Sequence, residues 1–127
     1  MYDCGSPDVT ELPLRQELLK GHLEGLVLAV LAGRPAHGYA IMEALHSRSS
    51  GDLTIEGGTL YPALHRLEAA GLVSGKWSVE SGRKRRTYAL TSKGRAALRE
   101  EQTAWNEFVS AIGSFMAQPA DVKGVIR

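Results

Sequence analysis

The chain has 127 residues, 43% hydrophobic and 23% charged, with 15 Lys and Arg against 14 Asp and Glu. That excludes a disordered chain and two comfortable domains; one globular domain with its own core is expected. The net charge of +1 says nothing about partners until its distribution is considered.

Residues 1–13 read as a disordered arm, polar and punctuated by Gly5, Pro7 and Pro13. The arm is acidic and has no apolar h-region, so no signal peptide is expected. No apolar run reaches the roughly eighteen residues of a membrane-spanning helix. Cys4 is the single cysteine. A disulfide framework is therefore excluded, a reducing cytoplasm is the natural setting, and Cys4 reads as an exposed thiol.

From about Leu14 a helical period begins, with Leu19, Leu23, Leu26, Val27, Val30 and Leu31 on one face. Gly33 and Pro35 stop it. A short helix over Gly38–Ser47 follows, then the polar turn SRSSGDL. Thr54 and Ile55 are β-branched, so Leu53–Ile55 is compatible with an extended segment. Leu60, Ala63, Leu64 and Leu67 fall at i, i+3, i+4 and i+7 of a second amphipathic helix over Gly58–Ala70. Thr59 is the expected N-cap, Pro62 belongs in the first turn, and Gly71 ends the helix. The period then changes to two. Val73, Gly75, Trp77 and Val79 alternate with polar residues, Glu80-Ser81-Gly82 turns, and Arg86, Tyr88 and Leu90 alternate again. Trp77 and Tyr88 read as packing residues between this hairpin and the core. Thr91 then caps a helix over Ser92–Met116, roughly 35–40 Å long, and residues 118–127 read as a loose tail.

Charge is segregated along this plan. From Gly71 to Arg99 the cations Lys76, Arg83, Lys84, Arg85, Arg86, Lys93, Arg95 and Arg99 face a single carboxylate, Glu80. The order helix, helix, turn, helix, hairpin, long helix is that of a winged helix-turn-helix. The expected fold class is mainly α with a small β-hairpin, an α+β chain. Residues 14–90 would form the winged domain and 91–117 a C-terminal dimerisation helix. Such a domain buries three helices on a common core. The outer face of the third is left free to enter a major groove about 12 Å wide, while a basic wing, Gly82–Arg86, lies along the backbone.

Each candidate contact has a plainer alternative. Thr59 and Tyr61, at the start of the presumed recognition helix, can bind phosphate with the help of the helix-end dipole, or simply cap and pack. His65 and Arg66 can reach base edges, Arg66 being suited to guanine O6/N7, or can form a solvated face with an ion pair to Glu68. Tyr39 is placed either to touch phosphate or to pack. Arg83, Lys84, Arg85 and Arg86 repel one another, which a phosphate partner would relieve. Strand alternation implies that these four do not all meet the same partner. In the last helix, positions 98, 101, 105, 108, 112 and 115 alternate three and four apart, a coiled-coil spacing. A homodimer is expected through Leu98, Trp105, Phe108, Ile112, Phe115 and Met116, with Leu19 and Leu23 of the first helix packed against them. His22, His37, His46 and His65 show no HxxxH or HxH pairing, so no metal is expected. No nucleophile elbow, P-loop or paired-carboxylate pattern is present, so neither catalytic residues nor a cofactor are expected.

The strings HGYAIMEAL, GGTLYPALHRLEAAGLV and SGRKRRTYALTSKGRAAL resemble the PadR family of bacterial transcriptional regulators, over about Leu18 to Met116. The single helix after the wing is similar to the short branch of that family. The resemblance implies a homodimeric repressor on a near-palindromic duplex DNA operator, and an effector that is a small planar or aromatic compound. Trp105, with Phe108 beside it, would then either stack on such a ligand at the dimer centre or serve as a plain interface anchor. Two positions depart from the pattern. Glu56-Gly57 opens the recognition helix where a Ser-Pro pair is common, and Lys84 replaces a frequent wing proline. Two other function classes fit the same plan: a winged-helix module binding an acidic protein, and a ligand sensor whose main output is not DNA.

Overall fold

The computed structural model describes residues 18–117. The expected arm 1–13 with Cys4, the helix onset at Leu14 and the tail 118–127 lie outside the described residues. The first apolar stripe is helical but not continuous. Residues 18–20 are helical, Gly21 and His22 form a turn, and α1 spans Leu23–Gly33. Glycine is about 1 kcal/mol worse than alanine inside a helix, and the stripe divides there. The single helix from Leu14 is corrected accordingly. α1 buries Leu23, Val27, Leu28 and Leu31.

After Pro35 the chain forms a two-residue strand, β1 (Ala36–His37), before α2 (Gly38–Arg48). α2 contributes Ile41 and Leu45 to the core. Leu53–Ile55 lies in the connection from α2 to α3 and is not part of the sheet. Leu53 and Ile55 instead point into the core, 1% and 5% exposed, as apolar plugs without a ladder partner.

α3 spans Gly57–Ala69, and Leu60, Ala63, Leu64 and Leu67 are its buried stripe. Its N-cap is Glu56, which makes no side-chain capping bond. Thr59 therefore lies inside the first turn and is not the cap. Pro62 falls one turn deeper than expected. Its missing N–H would have bonded the carbonyl of Gly58, an exposed residue near the helix end, where water can replace the bond. The far end closes as a Schellman motif. Leu72 N–H donates to Leu67 O (2.9 Å) and Gly71 N–H to Glu68 O (3.0 Å), with Gly71 at φ 80°. Lys93 Nζ donates to Ala70 O at 2.9 Å.

β2 (Val73–Glu80) and β3 (Arg83–Leu90) form the hairpin, and β1 pairs with β3 to give the antiparallel order β1-β3-β2. Ser81 (φ 52°) and Gly82 (φ 76°) make the two-residue primed turn whose twist suits a tight hairpin. Val73↔Leu90, Gly75↔Tyr88, Trp77↔Arg86 and Val79↔Lys84 are cross-strand pairs. They share one face, because alternate strand residues do. The root of the hairpin (Val73, Tyr88, Leu90) joins the core; the tip projects beyond it. Burial pushes the Tyr88 phenol above its ordinary value of 10.0.

α4 spans Ser92–Met116. Thr91 is its cap, as expected: the hydroxyl accepts from Gly94 N–H at 3.0 Å and can donate to Gly71 O at 2.7 Å. A β-carbon at Gly94 would lie 2.0 Å from the Leu72 carbonyl oxygen, so only glycine permits this approach. Leu98 packs into the core beside Leu23. The sequence places both at the dimer interface; both are instead buried within the protomer, where α4 packs against α1. Beyond Leu98 no described residue of α4 is buried.

Candidate nucleic-acid interface

Helical geometry divides the surface of α3 into an outer face with two flanks. Opposite the buried stripe lie Gly58, Pro62, His65 and Ala69, all exposed. On the hairpin flank a concavity of about 730 Å³ is lined by His37, Tyr39, Tyr61, His65, Trp77 and Arg83 to Arg86, among others. It is floored by Gly38, whose lack of a side chain lets the Tyr61 ring lie over the start of α2; a β-carbon there would be 2.3 Å from the Tyr61 hydroxyl oxygen. On the opposite flank a groove is lined by Lys20, Glu24, Thr59, Arg66, Glu100 and Glu101, among others.

The expected contact residues are thus divided. Tyr39, Tyr61, His65 and the four wing cations meet in one concavity; Tyr39 is 66% exposed. Thr59 and Arg66 lie on the other flank. Arg66 does not pair with Glu68, nor is it free for a base: its Nε donates to Glu24 Oε2 of α1 at 2.7 Å. Glu68 instead binds Arg86 Nη2.

The wing cations alternate as strand geometry requires. Lys84 and Arg86 lie on the α3 side, with Lys84 Nζ 5.3 Å and Arg86 Cζ 5.5 Å from the Trp77 ring centre. Arg85 lies on the opposite face, its Nη1 2.7 Å from His37 Nε2. His37 Nδ1 is also 3.3 Å from Ala40 N–H. Both neighbours are donors, and a neutral imidazole has one acceptor nitrogen. Among the described residues, Arg83, Lys84 and Arg85 form no ion pair with a carboxylate.

The packing role expected of Trp77 and Tyr88 holds only for Tyr88. Tyr88 is buried, but Trp77 is 60% exposed and lines the concavity. Counting outward from the Ser81–Gly82 turn pairs it with Arg86 and carries it past the core. The cap of α2, His37, is not among the expected caps; a side chain able to accept a hydrogen bond just before Gly38 is the available signal. Among the described residues, no group of three His, Cys, Asp or Glu side chains is arranged to hold a metal, and no helix is long and apolar enough to cross a membrane.

A helix with an exposed face beside a basic hairpin defines a winged-helix DNA-binding protein. Comparison with known proteins gives the family. Residues 27–100 match the model of the transcriptional regulator PadR-like family, and the chain belongs to that family of DNA-binding regulators. It is 32% identical to a PadR family transcriptional regulator from Eggerthella lenta, at a TM-score of 0.78 over 89% of this chain and 97% of that one. A PadR-like transcriptional regulator from Bacillus cereus is 27% identical, with a TM-score of 0.72 over 80% and 98% of the two chains. Transcriptional regulator Rv3488 of Mycobacterium tuberculosis is 51% identical over 55 residues, which are 43% of this chain and 51% of that protein.

Proposed function

We propose that the chain is a cytoplasmic homodimeric repressor that binds a near-palindromic duplex operator, each protomer placing α3 in a major groove. The observation that carries this reading is the concavity beside α3, lined by Arg83, Lys84 and Arg85, none of which pairs with a carboxylate among the described residues. Arg83, Lys84 and Arg85 would hold phosphates from the wing. Tyr39, Tyr61 and Thr59 would hold them at the helix starts. His65, on the outer face, is the candidate for base reading.

Dimerisation is supported by the outer half of α4. Trp105, Phe108, Val109, Ile112, Phe115 and Met116 are exposed there at coiled-coil spacing, an apolar patch that a lone protomer leaves wet. Leu19, half-buried against the core, borders it. Effector release is supported by an apolar cleft of about 280 Å³ lined by Leu19, Leu26, Ala29, Leu98 and Trp105, among others. The Trp105 ring lies 5.6 Å from Phe108; Phe108 itself does not line the cleft.

Binding to DNA from upstream of its own gene, measured at several salt concentrations and by footprinting, tests the reading. Affinity is expected to fall steeply with salt and two symmetric half-sites to be protected. Salt-independent binding, or no protected site, would remove it. A dimer that survives Phe108→Glu with Ile112→Glu, judged by sedimentation, would refute the interface. Saturable quenching by planar aromatic compounds that persists in Trp105→Ala would remove the effector site.

A further inference from the structure

We infer that Glu68 and Arg86 form a clasp between the recognition helix and the wing, and that Arg86 acts as a positioning residue rather than as a phosphate ligand. The inference rests on the proposed DNA face and adds what sets its shape.

Arg86 is enclosed on four sides. Its Nη2 binds Glu68 Oε2 on the penultimate residue of α3. Its guanidinium carbon lies 5.5 Å from the ring centre of Trp77 and 5.8 Å from that of Tyr88. Beneath it is Gly75, where a β-carbon would lie 2.6 Å from Arg86 Nε and 2.8 Å from its Cζ. A guanidinium seated on a glycine, flanked by aromatic rings and paired with a carboxylate has its charge matched and its planar faces covered. Its side chain keeps 28% of its surface exposed, but its charge is already matched. Arg83, Lys84 and Arg85 have no such carboxylate among the described residues.

The position of the clasp gives it leverage. The wing is otherwise held at its root, through Val73, Tyr88 and Leu90 in the core. Arg86 lies midway between that root and the Ser81–Gly82 tip, and Glu68 lies on the flank of α3 that faces the wing. The pair fixes how far the cations of the tip stand from α3. That distance decides whether helix and wing engage DNA together. Gly75 is part of the device because any side chain there would displace the guanidinium.

The test uses the sign of an electrostatic effect. Duplex DNA is a polyanion, so deleting a nearby carboxylate by itself strengthens binding. The clasp predicts the reverse. The full-length chain is titrated by fluorescence anisotropy against a duplex from upstream of its own gene, well below its melting temperature, with the folded fraction checked by circular dichroism. Glu68→Gln is expected to bind about threefold to fivefold more weakly, the range of a partly exposed ion pair. Gly75→Ala, which changes no charge, should weaken binding similarly; the atoms it meets are the mobile end of Arg86, so the fold is retained. Glu68→Gln combined with Arg86→Gln should be no weaker than Arg86→Gln alone, because each removes the same interaction. Tighter or unchanged binding by Glu68→Gln, or unchanged binding by Gly75→Ala, would overturn the clasp. Unchanged binding by a combined Arg83→Ala, Lys84→Ala, Arg85→Ala variant would overturn the wing reading as well, and so separates the two failures.

Discussion

The two flanks of α3 carry similar side chains and use them differently. On the α1 flank, Arg66 is neutralised by Glu24, and the groove beside it also holds Glu100 and Glu101. On the wing flank, Arg86 is matched by Glu68, but Arg83, Lys84 and Arg85 line the concavity without a carboxylate partner among the described residues. The helix is thus presented between an electropositive wall and a mixed, partly acidic one. Counting cations along the sequence does not reveal this; the arginines that pair internally and those that do not differ only in what the fold sets opposite them. On the proposed DNA face, phosphates would be attracted more strongly to the wing side than to the α1 side.

The sharpest way to break this contrast is to strip each flank in turn. Arg83→Ala with Lys84→Ala and Arg85→Ala should reduce DNA affinity by about two orders of magnitude and make the salt dependence shallower by roughly 0.9 for each phosphate no longer neutralised. A titration series in salt reads both. On the outer face between the flanks, His65→Ala should cost about 1–3 kcal/mol of discrimination at one base position while leaving the salt slope unchanged. A panel of single-base operator variants checks it. On the α1 flank, Arg66→Ala should change affinity by less than about twofold, since a largely exposed ion pair is worth about 0–1 kcal/mol and faces away from the wing. If Arg66→Ala weakens binding as much as the wing variant does, the two flanks are not distinct.

The smallest effect concerns the floor of the wing flank. The folded chain holds the Tyr88 phenol neutral above its ordinary value of 10.0 because burial disfavours the phenolate. Below that pH both folded and unfolded chains keep the proton and Tyr88 adds no pH dependence. Above it the unfolded chain ionises first, so stability falls as pH rises. Denaturant midpoints between neutral and strongly alkaline pH should show this fall, and Tyr88→Phe should reduce it.

Much of the fold is legible in the sequence because its signals are local. Thr91 before a long helix-forming run, Gly71 after an amphipathic stripe, and two alternating runs around Ser81–Gly82 each specify their own backbone. What is not legible depends on distant partners. β1 is two residues long and has no pattern of its own; it exists because Ala36 and His37 find Tyr88 and Thr87 across the sheet. The site follows the same rule. The wing's basic character and the outer face of α3 can be read directly. The pairings of Arg66 with Glu24, Arg86 with Glu68 and Arg85 with His37 join elements whose relative placement only the packed core determines. Leu23 and Leu98 show the converse: their spacing matches an interface stripe, but packing within the protomer takes them first.

The close approach of Gly94 to Leu72 has a mechanical consequence. Because the helix backbone at Gly94 meets the Leu72 carbonyl there, with Thr91 bonded at the same junction, the root of α4 has little room in which to slip. The helix behaves as a beam built into a wall rather than as a rod on a hinge. A beam of this length, about 37 Å, converts a rotation of about 10° into a displacement of roughly 6 Å at its free end. The same gearing runs in reverse. Holding the free end still and tilting the beam swings the rest of the protomer, so in the proposed dimer a change of a few degrees in how the two α4 helices cross would alter the separation of the two α3 helices by a distance comparable to one base-pair step.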